Sequence, residues 1–236
     1  MSKKALKSDA IIAVVFSFVG GLLDVYCLFN FNVYATLHTG NMIKLMTHLV
    51  DGNFAAFLDT TFVIVAFAIG IFLTNMYENS RKKRDERELF LISFALLLLA
   101  SLAPNDRVPG ELSTWKRIAA FLLGLEGAFL IRSFIRFGEY TYSTTTMTAN
   151  INRLVTVIHK RVREKDKSQN YAILVYTMIF LSFLLGVACG YGYLRAVPDE
   201  GSGWWHWYRY NLILLAPMIC MLVLWISARR KHQKVQ

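Results

Sequence analysis

Thr36-Leu-His-Thr39-Gly-Asn41-Met-Ile-Lys44-Leu45-Met-Thr47 recurs as Thr145-Thr-Met-Thr148-Ala-Asn150-Ile-Asn-Arg153-Leu154-Val-Thr156. The two stretches align without a gap at an offset of 109 residues. Thr, Thr, Asn, a base, Leu and Thr fall at matching positions, and Gly40 faces Ala149. Each stretch follows a strongly apolar segment. A polar motif duplicated inside an apolar chain marks a membrane protein built from two repeats.

Outward from the motif, the 236 residues are 55% hydrophobic. The runs Ile11–Phe29, Phe62–Leu73, Leu89–Leu102, Ile118–Ile131, Ala172–Cys189 and Leu212–Ile226 are of the order of length that crosses a bilayer. A span needs about 20 mainly apolar residues. Six such spans leave no room for a soluble domain. The formal charge of +10 does not point to nucleic acid, because the bases cluster at the ends of apolar runs, as orientation in a membrane requires. Cys27, Cys189 and Cys220 sit inside apolar runs and read as small hydrophobes, with no metal-site spacing and no sign of disulfides. The start Met1-Ser-Lys-Lys-Ala-Leu-Lys7 resembles a signal-peptide n-region. No A-x-A-like site follows it and Asp24 interrupts the apolar core, so a retained first span is expected.

The polar segments 34–50 and 142–159 are too rich in Thr, Asn, His and base to be plain lipid-facing helices. If both enter and return, one side of the membrane holds Lys3, Lys4 and Lys7, the Arg81–Arg87 run, Lys160–Lys167 and Arg229–Lys234. The other side holds only Arg107, Lys116, Arg117, Arg195 and Arg209. If both segments span, the dense Arg81–Arg87 loop moves to the wrong side. The re-entrant arrangement obeys the positive-inside rule best. Trp115 and the Trp204-Trp-His-Trp207-Tyr208 stretch then lie at span edges, with Pro104, Pro109 and Pro198 in the same outer loops.

The expected fold is therefore an all-α integral membrane protein of six transmembrane helices plus two short re-entrant polar helices. Residues 1–104 form repeat 1, with spans at about 10–32, 54–76 and 88–103 and the re-entrant segment at 34–50. Residues 105–236 form repeat 2, with spans at about 116–136, 171–194 and 210–228 and the re-entrant segment at 142–159. Three spans per repeat is an odd number, so the repeats are inverted. Both termini are expected in the cytoplasm, in a cell (cytoplasmic) membrane.

Thr39 and Thr148 are read as N-caps, whose hydroxyls satisfy free N–H groups at a helix start. Lys44 and Arg153 lie three residues past Asn41 and Asn150, on nearly the same helical face. N–H groups, an amide and a cation suit an anionic or carboxylate group. Thr39, Asn41, Lys44, Thr148, Asn150 and Arg153 are the candidate substrate-binding residues. The structural alternative is that Thr and Asn only satisfy backbone where half-helices meet. Asp24 and Glu126 lie within spans, where a charged side chain costs about 2.5–3.5 kcal/mol on insertion scales. Each is read as a coupling carboxylate or as half of an ion pair with Lys44, Arg132 or Arg153, the pair being favoured. Ser17 and Gly20 or Gly21 share a helical face with Asp24. Gly186-x-x-x-Gly190 and Ala66-x-x-x-Gly70 are close-packing stripes. His38 and His48 have no counterparts at Met147 and Val157, so no metal site is expected. No Ser-His-Asp arrangement, phosphate loop or HExxH is present, so the chain is not read as an enzyme, and no cofactor is called for.

Gly-Leu-Leu-Asp24 leading into Thr39-Gly-Asn41-x-x-x-Leu45, then Gly124-Leu-Glu126-Gly-Ala128 leading into Ser143-Thr-Thr-Thr-Met-Thr148, resembles the YoaK-like family over essentially the whole chain. Those are bacterial multi-spanning membrane proteins of unknown function. Glu126 stands where that pattern has Gln, Gly127 where it has Asn, and Ala149 where it has Gly, whereas Asp24 matches. The resemblance implies a class and no substrate.

The expected function is a small-solute transporter or channel, with an anionic solute favoured and a site between the two Thr-rich helix starts. The rival is a non-transporting sensor, scaffold or partner subunit whose basic loops bind lipid or protein. Expected partners are the bilayer and a small solute, without nucleic acid; a homo-oligomer is compatible with the sequence. With Cys27, Cys189 and Cys220 replaced, Ser80→Cys should resist a membrane-impermeant maleimide in intact cells and label after lysis. Labelling in intact cells would put the Arg81–Arg87 loop outside and make the repeats parallel.

Overall fold

The computed structural model describes residues 3–80, 86–103, 113–133, 136–137, 139–197 and 209–233. Among them the chain forms α1 (Lys3–Phe31), α2 (His38–Val50), α3 (Phe54–Ser80), α4 (Glu86–Ser101) and α5 (Thr114–Ser133). A two-residue pair, β1 (Arg136–Phe137) and β2 (Tyr140–Thr141), precedes α6 (Met147–Arg163). A 3-10 turn at Lys167–Gln169 leads into α7 (Asn170–Ala196), and another at Arg209–Leu214 into α8 (Leu215–Gln233). The basic run from Arg81 to Arg84, the loop holding Pro104, Arg107 and Pro109, and the stretch from Pro198 to Tyr208 lie outside the described residues.

The fold is all-α and of the membrane class. Asp9–Phe31, Phe54–Ser80, Lys167–Ala196 and Tyr210–Ser227 are each long and apolar enough to cross a bilayer. The surface of these stretches carries Phe72, Leu73, Leu181, Leu185 and Val223, all largely exposed. Exposed apolar surface on that scale belongs against lipid. α4 is apolar but only 16 residues long, and α5 has the length but carries Lys116, Arg117, Glu126 and Arg132. Length and composition alone therefore single out four spans.

α1 is the hub. Phe16, Val19, Leu23 and Tyr26 are wholly buried, as an all-round apolar helix at the centre of a bundle must be. It runs parallel to α7. The Ser182 Oγ donates to the Val14 carbonyl (2.8 Å), Gly186 lies on the backbone of Phe18, Gly190 on Val25, and the Phe29 and Tyr191 rings meet at 6.3 Å. α3 and α5 form a second parallel pair. Asp59 bonds Arg117 at 2.5 Å, Phe62 meets Phe121 at 4.9 Å, Gly70 lies on Leu125, and the Arg132 Nε donates to the Asn75 Oδ1 at 2.9 Å. Polar α5 is thus tied to α3 near both ends. Asn211 ties the turn before α8 to the rest. It accepts from the Tyr26 hydroxyl (2.5 Å) and donates to the carbonyls of Ser101 and Ala103 at the end of α4 (3.0 and 2.7 Å).

α2 has 13 residues, about 20 Å at 1.5 Å per residue, against a hydrocarbon thickness of about 30 Å. It starts beside the middle of α3, where the His38 and Phe67 rings are 3.7 Å apart. Lys44 reaches back to the end of α1, donating to Asn32 O and Asn32 Oδ1 at 2.9 and 2.7 Å. α2 therefore returns toward the end of the bundle at which α1 finished. Gly52, at φ 70°, makes the turn, and the Asn53 side chain caps α3 through the Ala56 N–H (3.1 Å). α6 makes the corresponding return: its Arg161 Nε meets Asn170 Oδ1 at 2.7 Å, at the start of α7.

Gly186→Ala should lower thermal stability in detergent, because its Cβ would overlap the Phe18 carbonyl. The expected loss is about 1–3 kcal/mol, typical of overpacking. Gly192→Ala meets nothing within 4 Å and should be neutral or better, since alanine favours helix over glycine by about 1 kcal/mol. Equal melting temperatures for the two variants would contradict the close α1–α7 contact.

Candidate functional site

Asn41 and Asn150 have the same job in the two halves. The Asn41 Oδ1 accepts from the Tyr34 N–H (2.8 Å) and its Nδ2 donates to the Tyr34 carbonyl (2.8 Å). The Asn150 Oδ1 accepts from the Ser143 N–H (2.9 Å) and its Nδ2 donates to the Ser143 carbonyl (2.5 Å). Even the third neighbour corresponds: Asn41 Nδ2 lies 3.4 Å from His38 Nδ1, and Asn150 Nδ2 lies 3.9 Å from Met147 Sδ. Both amides are buried. Each makes a two-point clamp on backbone seven residues upstream, where the chain has left one helix and not begun the next.

The clamped loops lie against glycines of the opposite half. Gly127 of α5 leaves room for Ala35 and Thr36, and Gly20 of α1 leaves room for Thr144 and Thr145. A Cβ at Gly127 would overlap the Ala35 carbonyl, so the glycine is required by close approach rather than by backbone conformation. The Gly40/Ala149 difference has the same kind of cause. A Cβ at Gly40 would stand 2.9 Å from the Tyr34 ring; the second half has Ser143 in place of Tyr34 and tolerates Ala149.

The helix starts differ from the sequence expectation. Leu37 and Thr146, not Thr39 and Thr148, occupy the N-cap positions, and neither start has a side-chain cap bond. Thr39 and Thr148 fall inside the first turn and are exposed. At these starts the His38 N–H meets the Thr36 carbonyl (3.1 Å) and the Met147 N–H the Thr145 carbonyl (2.9 Å), so backbone rather than a side chain closes the first turn.

The ion pairs expected for the carboxylates are absent among the described residues. Asp24 instead takes the Thr36 N–H (2.9 Å) and the Thr36 hydroxyl (2.5 Å), acting as another clamp on the same loop. Glu126 accepts from the Ser93 hydroxyl, and its second oxygen has no partner. Lys44 is engaged by Asn32 and lies over the Tyr34 ring at 5.0 Å. Arg132 goes to Asn75, with Glu78 at 3.8 Å, and Arg153 to Asn150 Oδ1 at 3.3 Å. Each cation finds an amide or carboxylate nearer its own helix end.

Four side chains at this centre carry a buried oxygen with no partner among the described residues: Ser17, Glu126, Thr144 and Thr145. Glu126, Thr144 and Thr145 neighbour the glycine contacts, and Ser17 lies one turn before Gly20. The structure gathers Asp24, Asn41, Glu126 and Asn150 around the two loops. Lys44 and Arg153 sit farther along α2 and α6. Ser93, Thr36, Tyr34 and Ser143 escaped the sequence reading; the seven-residue spacing of the last two from the asparagines, at the common offset, is the signal that would have found them.

A bundle with apolar flanks and broken, hydrogen-bonded backbone at its centre defines a multi-pass membrane protein. The family described as "Protein of unknown function (DUF1275)" matches residues 12–226, and the chain belongs to it. No curated protein and no solved structure matches the chain.

Asn41→Leu and Asn150→Leu should each destabilise the fold. Each leaves a buried backbone N–H and C=O unpaired, at about 1–3 kcal/mol per group. Both variants should lose melting temperature in detergent, and wild-type melting in either would refute the clamp.

Proposed function

We propose that the chain is a small-solute transporter of six spans, with two inverted repeats and both termini cytoplasmic. The observation that carries this reading is the duplicated clamp, which holds two half-helix starts without side-chain caps against the opposite half. Non-helical backbone at membrane depth survives only inside protein or beside a water-filled cavity. Broken helices whose starts meet near the midplane are a recurrent way to bind a solute between inverted repeats. The parallel pairs α1–α7 and α3–α5 support it, since inversion exchanges one pair for the other. α4 and α5 then complete the six spans, with Arg117 and Arg132 of α5 held by α3 and Glu126 by Ser93 of α4.

The site is the shell formed by Ser17, Thr36, Glu126, Thr144 and Thr145, with the starts of α2 and α6 supplying positive partial charge. That field favours an anionic or carboxylate solute. Asn41 and Asn150 hold the site in shape, and Lys44 and Arg153 flank it. Glu126, unpaired and buried, is the coupling carboxyl, while Asp24 positions the loop. Asp24 follows the YoaK-like pattern, whereas Glu126 stands where that pattern has Gln, so a coupling role for Glu126 is one that the resemblance does not carry.

The test is uptake into proteoliposomes of a panel containing inorganic anions, small carboxylates and neutral polar solutes. At least one solute should enter faster than into protein-free vesicles, with a rate that depends on pH. Glu126→Gln keeps a partner for Ser93 and should remove that pH dependence. Unchanged pH dependence would end the coupling role. Uptake equal to protein-free vesicles across the whole panel would leave the chain as a non-transporting sensor, scaffold or partner subunit.

A further inference from the structure

α6 begins like α2 and ends unlike it. Ile151, Val155, Ile158 and Val162 form an exposed apolar stripe along it, at the spacing of one helical face. Arg153 and Lys160 lie two turns apart and both line a cavity of about 370 Å³ between α6, the start of α7 and the β1–β2 turn. Tyr140, Gln169 and Tyr176 form the facing wall, and Glu139 is the one carboxylate on the lining. Arg153 makes a single long bond to Asn150, and Lys160 is exposed with no partner among the described residues. Two cations thus converge on a polar cleft with donor capacity to spare.

The surroundings separate a lipid from a free anion. The stripe lies on the face of α6 opposite Arg153 and Lys160, as in helices that lie at the bilayer interface with bases on their polar face. We propose that the cleft between α6, α7 and the β1–β2 turn binds the headgroup of a membrane phospholipid, with Arg153 and Lys160 on its phosphate. Glu139 accepts from a donor on the headgroup, a hydroxyl or an ammonium. The site shares Arg153 with the flank of the solute site, and headgroup binding does not depend on transport.

Native mass spectrometry of the purified full chain in detergent tests this with phosphatidylglycerol, phosphatidylethanolamine, phosphatidylcholine and inorganic phosphate. Phosphatidylglycerol and phosphatidylethanolamine should be retained at least tenfold better than phosphatidylcholine, which has no headgroup donor. Retention should fall at least tenfold in Arg153→Gln/Lys160→Gln. Lys160→Gln alone should weaken it severalfold, and this exposed side chain can be changed even if Arg153 proves necessary for folding. Arg163→Gln/Lys165→Gln removes the same charge outside the cleft and should leave retention unchanged. An equal loss in that control would reduce the effect to general surface charge. Equal retention of phosphatidylcholine would overturn the role of Glu139, and equal binding of inorganic phosphate would make the cleft a free-anion site.

Discussion

A chain that leaves a helix inside a bilayer exposes peptide groups to a medium offering no hydrogen bonds, and each unpaired group there costs several kcal/mol. Asn41 and Asn150 answer that constraint. An amide side chain is the natural choice because it carries an acceptor and donors side by side, matching one residue's N–H and C=O. A carboxylate would satisfy the N–H and leave the carbonyl; a hydroxyl is too small to reach both. The seven-residue separation places the amide inside the first turn of the next helix, so one side chain both closes the loop and orients the helix start. The depth of α2 and α6, and the glycines that α1 and α5 must present, follow from where those loops are held.

The treatment of charge follows from the same scarcity of partners. α5 buries two ionisable side chains, Lys116 and Glu126, beside Arg117 and Arg132, and its charges are met differently at its ends and middle. Arg117 and Arg132 reach Asp59 and Asn75 on α3, near the ends, where side chains can also approach the interface. Glu126, in the middle, has only a hydroxyl. Ion pairing was the natural expectation for Asp24 and Glu126, but two charges brought together at depth lose hydration that their attraction repays only with good geometry. Backbone and hydroxyl donors solve the problem for Asp24 without a cation, which frees Lys44 to close the end of α1.

Much of this was legible in the sequence because membrane helices announce themselves by hydropathy and because the duplicated motif is gapless. The helices lie on the apolar runs, and the two short ones on the Thr-Asn segments. The helix starts were misread by two residues: Thr is a good capping residue by type, yet Leu37 and Thr146 hold the cap positions. Propensity speaks of local preference, whereas here the loop is set by Asn41 and Asp24 from a distance. The partners of the carboxylates were hidden for a similar reason. Ser93 lies 33 residues from Glu126, in an apolar run where a lone serine carries no signal. Gly127 and Gly20 read as ordinary helix glycines until the opposite loop is seen against them.

The two halves agree at the centre and diverge at the periphery, and the physical demands explain where the line falls. Backbone satisfaction admits few solutions, so the asparagine, the clamped residue and the glycine opposite recur. Away from the loop the demands relax, and substitutions compensate in pairs: Tyr34 requires Gly40, whereas Ser143 permits Ala149. Farther out nothing enforces likeness, so α2 ends with His48 as its base and turns through Asp51-Gly52-Asn53, while α6 ends in Lys160, Arg161 and Arg163. Shared features therefore describe what any broken helix pair in lipid needs. The features that distinguish this chain are those without a counterpart: Glu126 with one unpartnered oxygen, and the cationic cleft beside α6. On the proposed reading, chemistry particular to this protein falls at those unmatched positions, because the matched asparagines are already occupied in holding the fold.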